Sequence, residues 1–230
     1  MGYFVSGGET ELRGVPKFLE KISDKVEWKR AFPAVKKPGP KPKYSKQMTL
    51  RRDERGATGR DLANKIKKRL RYIDKNDYSF FLVIDDTDCT DPDKKNVLFE
   101  NIFKKFGYKY GTHWLGLWAL PEIETWFLAD PENTFQKHPE LKNKYVCFIQ
   151  KIRKNYKFKN PEDFNFILRN TEKCKRKLSE IIENCYKYCG IEYQKGKHSA
   201  DLLSWVNPHK IANRCKYFRK YYYQIIEIIT

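Results

Sequence analysis

Long hydrophobic runs are missing from this chain. No apolar stretch approaches the roughly 18 residues of a transmembrane helix, and Met1-Gly2-Tyr3-Phe4-Val5 lacks the charged segment and apolar run of a secretory leader. The expectation is a cytoplasmic protein with no membrane partner. Gly2 and Ser6 satisfy the bare myristoylation pattern, but a buried first strand explains the same residues. Cysteine is sparse and unpatterned. Cys89, Cys147, Cys174, Cys185, Cys189 and Cys215 lack the paired spacing of a zinc ribbon or a dense disulfide scaffold, so reduced thiols are expected. Cys185 and Cys189 with Cys174 and His198 come nearest to a metal set, yet no second pair repeats their spacing. His113, His138, His198 and His209 form no ligand pair and read as surface or capping residues. No Gly-x-x-x-x-Gly-Lys-Ser/Thr loop occurs, which excludes a P-loop ATPase, and no internal repeat is apparent.

Positive charge is abundant. Lys and Arg number 47 against 29 Asp and Glu, a net charge of +18 that repels itself unless a polyanion neutralises it. Nucleic acid, DNA or RNA, is the natural partner, although a Lys-rich composition also follows from coding bias or a hot habitat. Hydrophobic residues at 40% and aromatics at 15% supply enough apolar surface for a core, and 230 residues suit one α/β domain with a helical appendage.

Tyr3 to Ser6 reads as a short strand ended by Gly7-Gly8, followed by helical spacing of Leu12, Val15, Phe18, Leu19 and Ile22. Residues 33–55 form a basic, Pro-rich loop carrying Lys36, Lys37, Lys41, Lys43, Arg51, Arg52 and Arg55. It suits phosphate contact, and equally a solvated linker. Gly59 to Tyr72 is an amphipathic helix with a basic outer side. The uninterrupted run Phe80-Phe81-Leu82-Val83-Ile84 suits a central parallel strand, and His113 to Ala119 is another. Asn96 to Phe106 is the helix between them, and Pro121 to Asp130 starts the next, with Pro and two acids early. Trp114, Trp118 and Trp126 fall at core positions. Beyond Phe135 the chain reads as mostly helical, with candidates at Tyr145 to Ile152, Asn170 to Tyr188 and Ile211 to Ile229. The pattern predicts a doubly wound, mainly parallel sheet in residues 1–134 and a helical part, 135–230, packed on it as one globular unit.

Three strand ends carry acids: Glu9 and Glu11 after the first, Asp85, Asp86 and Asp88 after the second, Glu122 and Glu124 after the third. In an open parallel sheet the ligand sits at those carboxyl ends, so the groups are expected to converge. Clustered carboxylates repel one another unless a hard cation joins them, which points to Mg2+ or Mn2+. Any one of these acids also reads as a helix cap or first-turn charge.

At these residues the chain resembles a Toprim-like family of prokaryotic proteins related to the nuclease half of OLD-type proteins. The resemblance rests on Ile84-Asp85-Asp86-Thr87-Asp88, similar to the family's Asp-x-Asp motif, and on Pro121-Glu122-Ile123-Glu124-Thr125-Trp126, similar to its Pro-Glu-hydrophobic-Glu-Ala-Trp segment. Lys197-His198-Ser199-Ala200-Asp201-Leu202-Leu203 with Cys215-Lys216-Tyr217-Phe218 resembles its closing helices. The resemblance implies a Toprim, Rossmann-like fold and a metal-dependent endonuclease serving in anti-phage defence. Asp85, Asp86, Asp88, Glu122 and Glu124 would be metal ligands, and Asp86 and Asp88 with Glu9 or Glu11 catalytic. Lys197 joins the basic loop residues as a nucleic-acid contact. The family's first-motif Glu is absent, since Val5 is followed by Ser6-Gly7-Gly8, so Glu9 or Glu11 has to reach the same volume. Expected partners are nucleic acid, a separately encoded ATPase and, as a further option, a second copy of the chain. The alternative is a catalytically silent nucleic-acid-binding or regulatory subunit of an ATPase complex. No Tyr nucleophile motif, zinc ribbon or polymerase subdomain is visible, which sets aside a topoisomerase or primase.

Overall fold

The strands β1 (Gly2–Phe4), β2 (Lys29–Phe32), β3 (Phe81–Asp86) and β4 (Trp114–Ala119) lie side by side in the order β2-β1-β3-β4, all parallel. They belong to a computed structural model that describes residues 1–34, 56–74, 76–88, 90–155, 160–163 and 177–230. Both β3 and β4 are buried nearly throughout, as strands covered on both faces must be, and their register runs from Phe81 beside Trp114 to Asp86 beside Ala119. With the strand order β2-β1-β3-β4, the right-handed rule for parallel crossovers implies α1 (Glu9–Glu20) on one face and α2 (Gly59–Leu70) with α3 (Pro92–Phe103), which touch each other, on the other. The result is a Rossmann-like α/β arrangement.

β2 was not expected from the sequence. It has only four residues, two of them basic, and lies at the sheet edge, where charge discourages further pairing. The helix expected from Asn96 starts earlier, at Pro92, because the Asp91 carboxylate accepts the amide of Asp93 at 2.8 Å.

The later helices are α4 (Glu124–Ala129), α5 (Tyr145–Asn155), α6 (Leu178–Tyr188), α7 (Lys195–Trp205), α8 (Pro208–Arg214) and α9 (Lys216–Ile229). The single helix expected over Ile211 to Ile229 is therefore two, divided at Cys215, whose backbone is extended. Helix α7 packs closely on α1. A Cβ at Gly14 would lie 2.8 Å from Leu203 and 3.0 Å from the carbonyl of Ala200, so a larger residue would push the helices apart. Phe18 stacks on Trp126 at 5.1 Å with Phe218 edge-on to both, tying α1, α4 and α9 into one apolar cluster with the sheet. Burying such a ring stabilises by about 2–3 kcal/mol. Trp114, Trp118 and Trp126 are core, as expected.

His138 and His198 correct the surface reading of the histidines. Both are buried, with rings 4.8 Å apart and packed against Tyr186. His198 Nδ1 accepts the amide of Gln194 at the start of α7. Among the described residues no helix is long and apolar enough to cross a membrane.

Candidate functional site

Strand order reverses between β1 and β3, because the chain leaves β1 toward β2 and leaves β3 toward β4. At such a switch point the two exit loops diverge and leave a crevice above the carboxyl ends. Here the crevice is lined by Ser6 and Glu11 from the β1 side, Ile84, Asp85 and Asp86 from β3, and Thr58 and Ile123. Its cavity is about 10 Å³, the room of roughly one water-sized sphere.

The β3 and β4 exits are held in register past the sheet. Thr87 N donates to Ala119 O at 2.8 Å and Asp88 N to Pro121 O at 3.0 Å. This coupling brings the acids after β3 beside Glu122 and Glu124. Asp86 Oδ1 accepts the amide of Ile123 at 2.8 Å, so its carboxylate is fixed to the start of α4. Glu122 Oε2 is fixed by the amide of Ser179 at 3.0 Å.

Glu9 and Glu11 separate. Glu9 is exposed and pairs with Arg13 at 3.0 Å. Glu11 folds back over the β1 exit and bonds Ser6. A Cβ on Gly8 would meet Glu11 Oε2 at 2.3 Å, so a larger residue there would make the Glu11 carboxylate shift. Ser6 Oγ accepts Gly8 N at 3.2 Å.

Asp85 is buried beneath the cluster. Its Oδ2 meets Lys95 Nζ at 2.5 Å and Gly59 N at 2.9 Å, while its Oδ1 has no hydrogen-bond partner. Lys95 also donates to the backbone carbonyl of Asp86. Asp88 is exposed at the rim, in the left-handed region with φ of 45°, a conformation that Asp tolerates better than most side chains.

Electrostatics binds these groups into one unit. Burial, then Glu124, Glu11, Asp85 and Glu122, push the Asp86 carboxyl well above the usual carboxylate range. Burial also raises Glu11, with Asp85 adding to the effect, and raises Asp85 against the opposing pull of Lys95. Glu122 is raised by burial despite its bond from Ser179. Glu124, buried with Glu122 and Glu11 nearby, is pushed up to about 7 even though Lys195 opposes the shift. Lys195 itself is exposed at the start of α7 and gives its Nζ to Ser179 Oγ at 3.0 Å. Burial would lower its pKa, but Glu124, Glu122, Asp86 and Glu11 outweigh that and raise it.

Thus Glu11, Asp85, Asp86, Glu122 and Glu124 converge, Asp88 borders them, and Glu9 stands apart. Sequence reasoning missed Lys95, Lys195 and Ser179, which carry no local signal. Lys36, Lys37, Lys41, Lys43, Arg51, Arg52 and Arg55 lie outside the described residues. Lys197 is exposed on α7 and does not belong to the cluster.

Among the described residues no group of three or more His, Cys, Asp or Glu side chains is placed to hold a metal ion. Carboxylate oxygens are the donor type that a hard divalent cation takes. Carboxylates that hold protons against one another release them to a cation, and Asp85 Oδ1 is a buried oxygen with nothing bonded to it.

A family model described as a domain of unknown function (DUF4276) matches residues 8–226. The chain belongs to that family. No curated protein and no solved structure matches it. The DUF4276 match takes in all five clustered carboxylates together with Lys95 and Lys195, and it begins at the glycine that makes room for Glu11.

Proposed function

We propose that this DUF4276 chain is a magnesium- or manganese-dependent endonuclease of Toprim type. It cleaves nucleic acid and serves in prokaryotic anti-phage defence beside a separately encoded ATPase. One observation carries the reading: Glu11, Asp85 and Asp86 line the switch-point crevice, and Glu122 and Glu124 act on Asp86 electrostatically, in a chain with net charge +18. An acidic pocket in a basic protein suits a cation held inside and a polyanion held outside.

Asp86, Glu124 and Glu11 are the residues to hold the ion, with Asp85 Oδ1, Glu122 and Asp88 around them. When bound, the ion supplies Lewis-acid stabilisation of charge at a phosphodiester and lowers the pKa of a bound water. Glu11, raised by burial, holds a proton more readily than an ordinary glutamate, which suits it to general acid or base work. Lys95 fixes Asp85, and Lys195 limits the net negative charge facing the substrate.

Ser6-Gly7, in place of the Glu that the resembled family carries after its first strand, favours a second reading: a catalytically silent nucleic-acid-binding or regulatory subunit of an ATPase complex. Supercoiled plasmid, linear duplex and structured RNA, each with Mg2+, Mn2+ or EDTA, separate the two. Metal-dependent cutting that disappears in Asp86→Ala supports the endonuclease. Equal cutting by Asp86→Ala overturns the site assignment, and binding without cutting by the wild type moves the conclusion to the silent subunit.

A further inference from the structure

A second, larger cleft of about 320 Å³ opens on the far side of Asp85, between the N-terminal turns of α2 and α3. Its walls include Gly59, Arg60, Asp88, Thr90, Lys94 and Lys95. Lys95 is committed to Asp85 and to the Asp86 carbonyl. Arg60 and Lys94 are different: both are exposed, and neither makes an ion pair among the described residues. Their positions are also costly to the apo protein. Each is a cation in the first turn of a helix, where the helix dipole favours an anion. Asp88 is the single carboxylate in the lining, so three cations face one anion.

We propose that this cleft is a phosphate subsite, in which Arg60 and Lys94 pair with the oxygens of one phosphoryl group and the Thr90 hydroxyl donates to it. The proposal rests on the nuclease reading for its meaning, as the place where the substrate backbone is anchored. Gly59 and Lys95 line the cleft and also bond Asp85, so the anchored phosphate lies one side chain away from the carboxylate cluster. The two sites have opposite charge and a shared wall, the arrangement a polyanion needs to be held at one phosphate while the next faces a cation. The ligand is a phosphate-bearing molecule, either a polynucleotide backbone or a free nucleotide.

The test is binding in EDTA, where no cleavage enters. A short fluorescein-labelled single-stranded oligonucleotide is titrated with full-length wild type, with Arg60→Glu/Lys94→Glu, and with Lys68→Glu/Arg71→Glu, a double reversal at the other end of α2. The first variant is expected to bind at least about tenfold more weakly than the second, with a shallower salt dependence. Its Tm should be unchanged or higher, because Glu suits both first turns, which separates lost contact from lost fold. Inorganic phosphate and a nucleoside monophosphate then compete with the label. Displacement by either assigns the cleft to a small phosphate ligand, and displacement by unlabelled polymer alone assigns it to the backbone; both support the subsite. Equal weakening in the two double variants overturns it, as does failure of the wild type to bind any of these probes. The two readings fail separately. If the wild type never cuts but the cleft variant loses binding, the endonuclease reading falls and the subsite stands. If cleavage is metal-dependent and both variants bind alike, the subsite falls alone.

Discussion

Acids are buried in two regions of this molecule, under different terms. In the C-terminal half, Glu162 accepts the amides of Tyr217 and Phe218 at 2.9 and 3.1 Å, at the start of α9. Asp130 accepts the amide of Asn207 at 2.8 Å, ahead of α8, and the side-chain amide of Asn133. Each carboxylate meets N–H donors that helix starts leave unpaired, so each ties two segments together. At the switch point Asp86 and Glu122 also accept one amide each, yet they face other carboxylates, and Asp85 Oδ1 has no partner. Burial alone therefore does not distinguish a working acid from a structural one. Mutual repulsion that Lys95 and Lys195 offset only in part marks the switch-point acids as the functional candidates, because a protein gains nothing in stability from it.

That contrast is sharpest under substitution. Asp86→Ala should lower metal-dependent cleavage at least about a hundredfold, since it removes a ligand candidate, while the melting temperature in EDTA holds or rises as repulsion is relieved. Parallel cleavage assays and melts of this variant check both halves. Glu162→Ala should do the reverse. It strands two amides at the start of α9 and costs about 2–3 kcal/mol, read in urea unfolding, with the cleavage rate of the remaining folded protein unchanged. A Glu162→Ala protein as stable as wild type would erase the distinction drawn between the two regions.

A smaller effect follows from pH. Glu124 is raised from the ordinary value of 4.5 to about 7, so the folded state binds its proton more tightly than the unfolded chain does. Its contribution to stability is fully present below pH 4.5 and is lost as pH rises through about 7. The metal-free protein should accordingly lose melting temperature across that window. Mg2+ or Mn2+ should restore more of it at the upper end, where the carboxylates are ionised. A Glu124→Gln protein showing the same pH slope would assign the effect elsewhere. The smallest difference should separate the two acids of α1. Glu11→Gln should slow cleavage at least about tenfold, whereas Glu9→Gln should leave both cleavage and melting within the scatter of the wild type, because among the described residues Glu9 makes its ion pair with exposed Arg13 alone.

Much of this was readable along the chain. An apolar run ending abruptly in acids marked β3, and apolar runs followed within a few residues by acids marked β1 and β4, because a buried parallel strand has to be apolar on both faces and its ligand end does not. The edge strand β2 was not legible, as four residues with two cations carry neither alternation nor an apolar run. Helix α7 was legible only through the resemblance of Lys197 to Leu203 to a closing helix, since its buried face includes His198, Ser199 and Ala200 as well as Leu202 and Leu203.

By itself the sequence determined the alternation of strands and helices, the three acidic exits and the excess of positive charge, since each is a property of neighbouring residues. It left open which of Glu9 and Glu11 serves the pocket, and on a helix two such residues point about 200° away from each other. Which of them turns inward was settled only when α7 packed on α1 and the exits of β1 and β3 closed around Glu11. Lys95 and Lys195 enter in the same way, one 10 residues beyond Asp85 and the other more than a hundred beyond it. A side chain's electrostatic neighbours are fixed by distance in space, and only tertiary packing sets that distance.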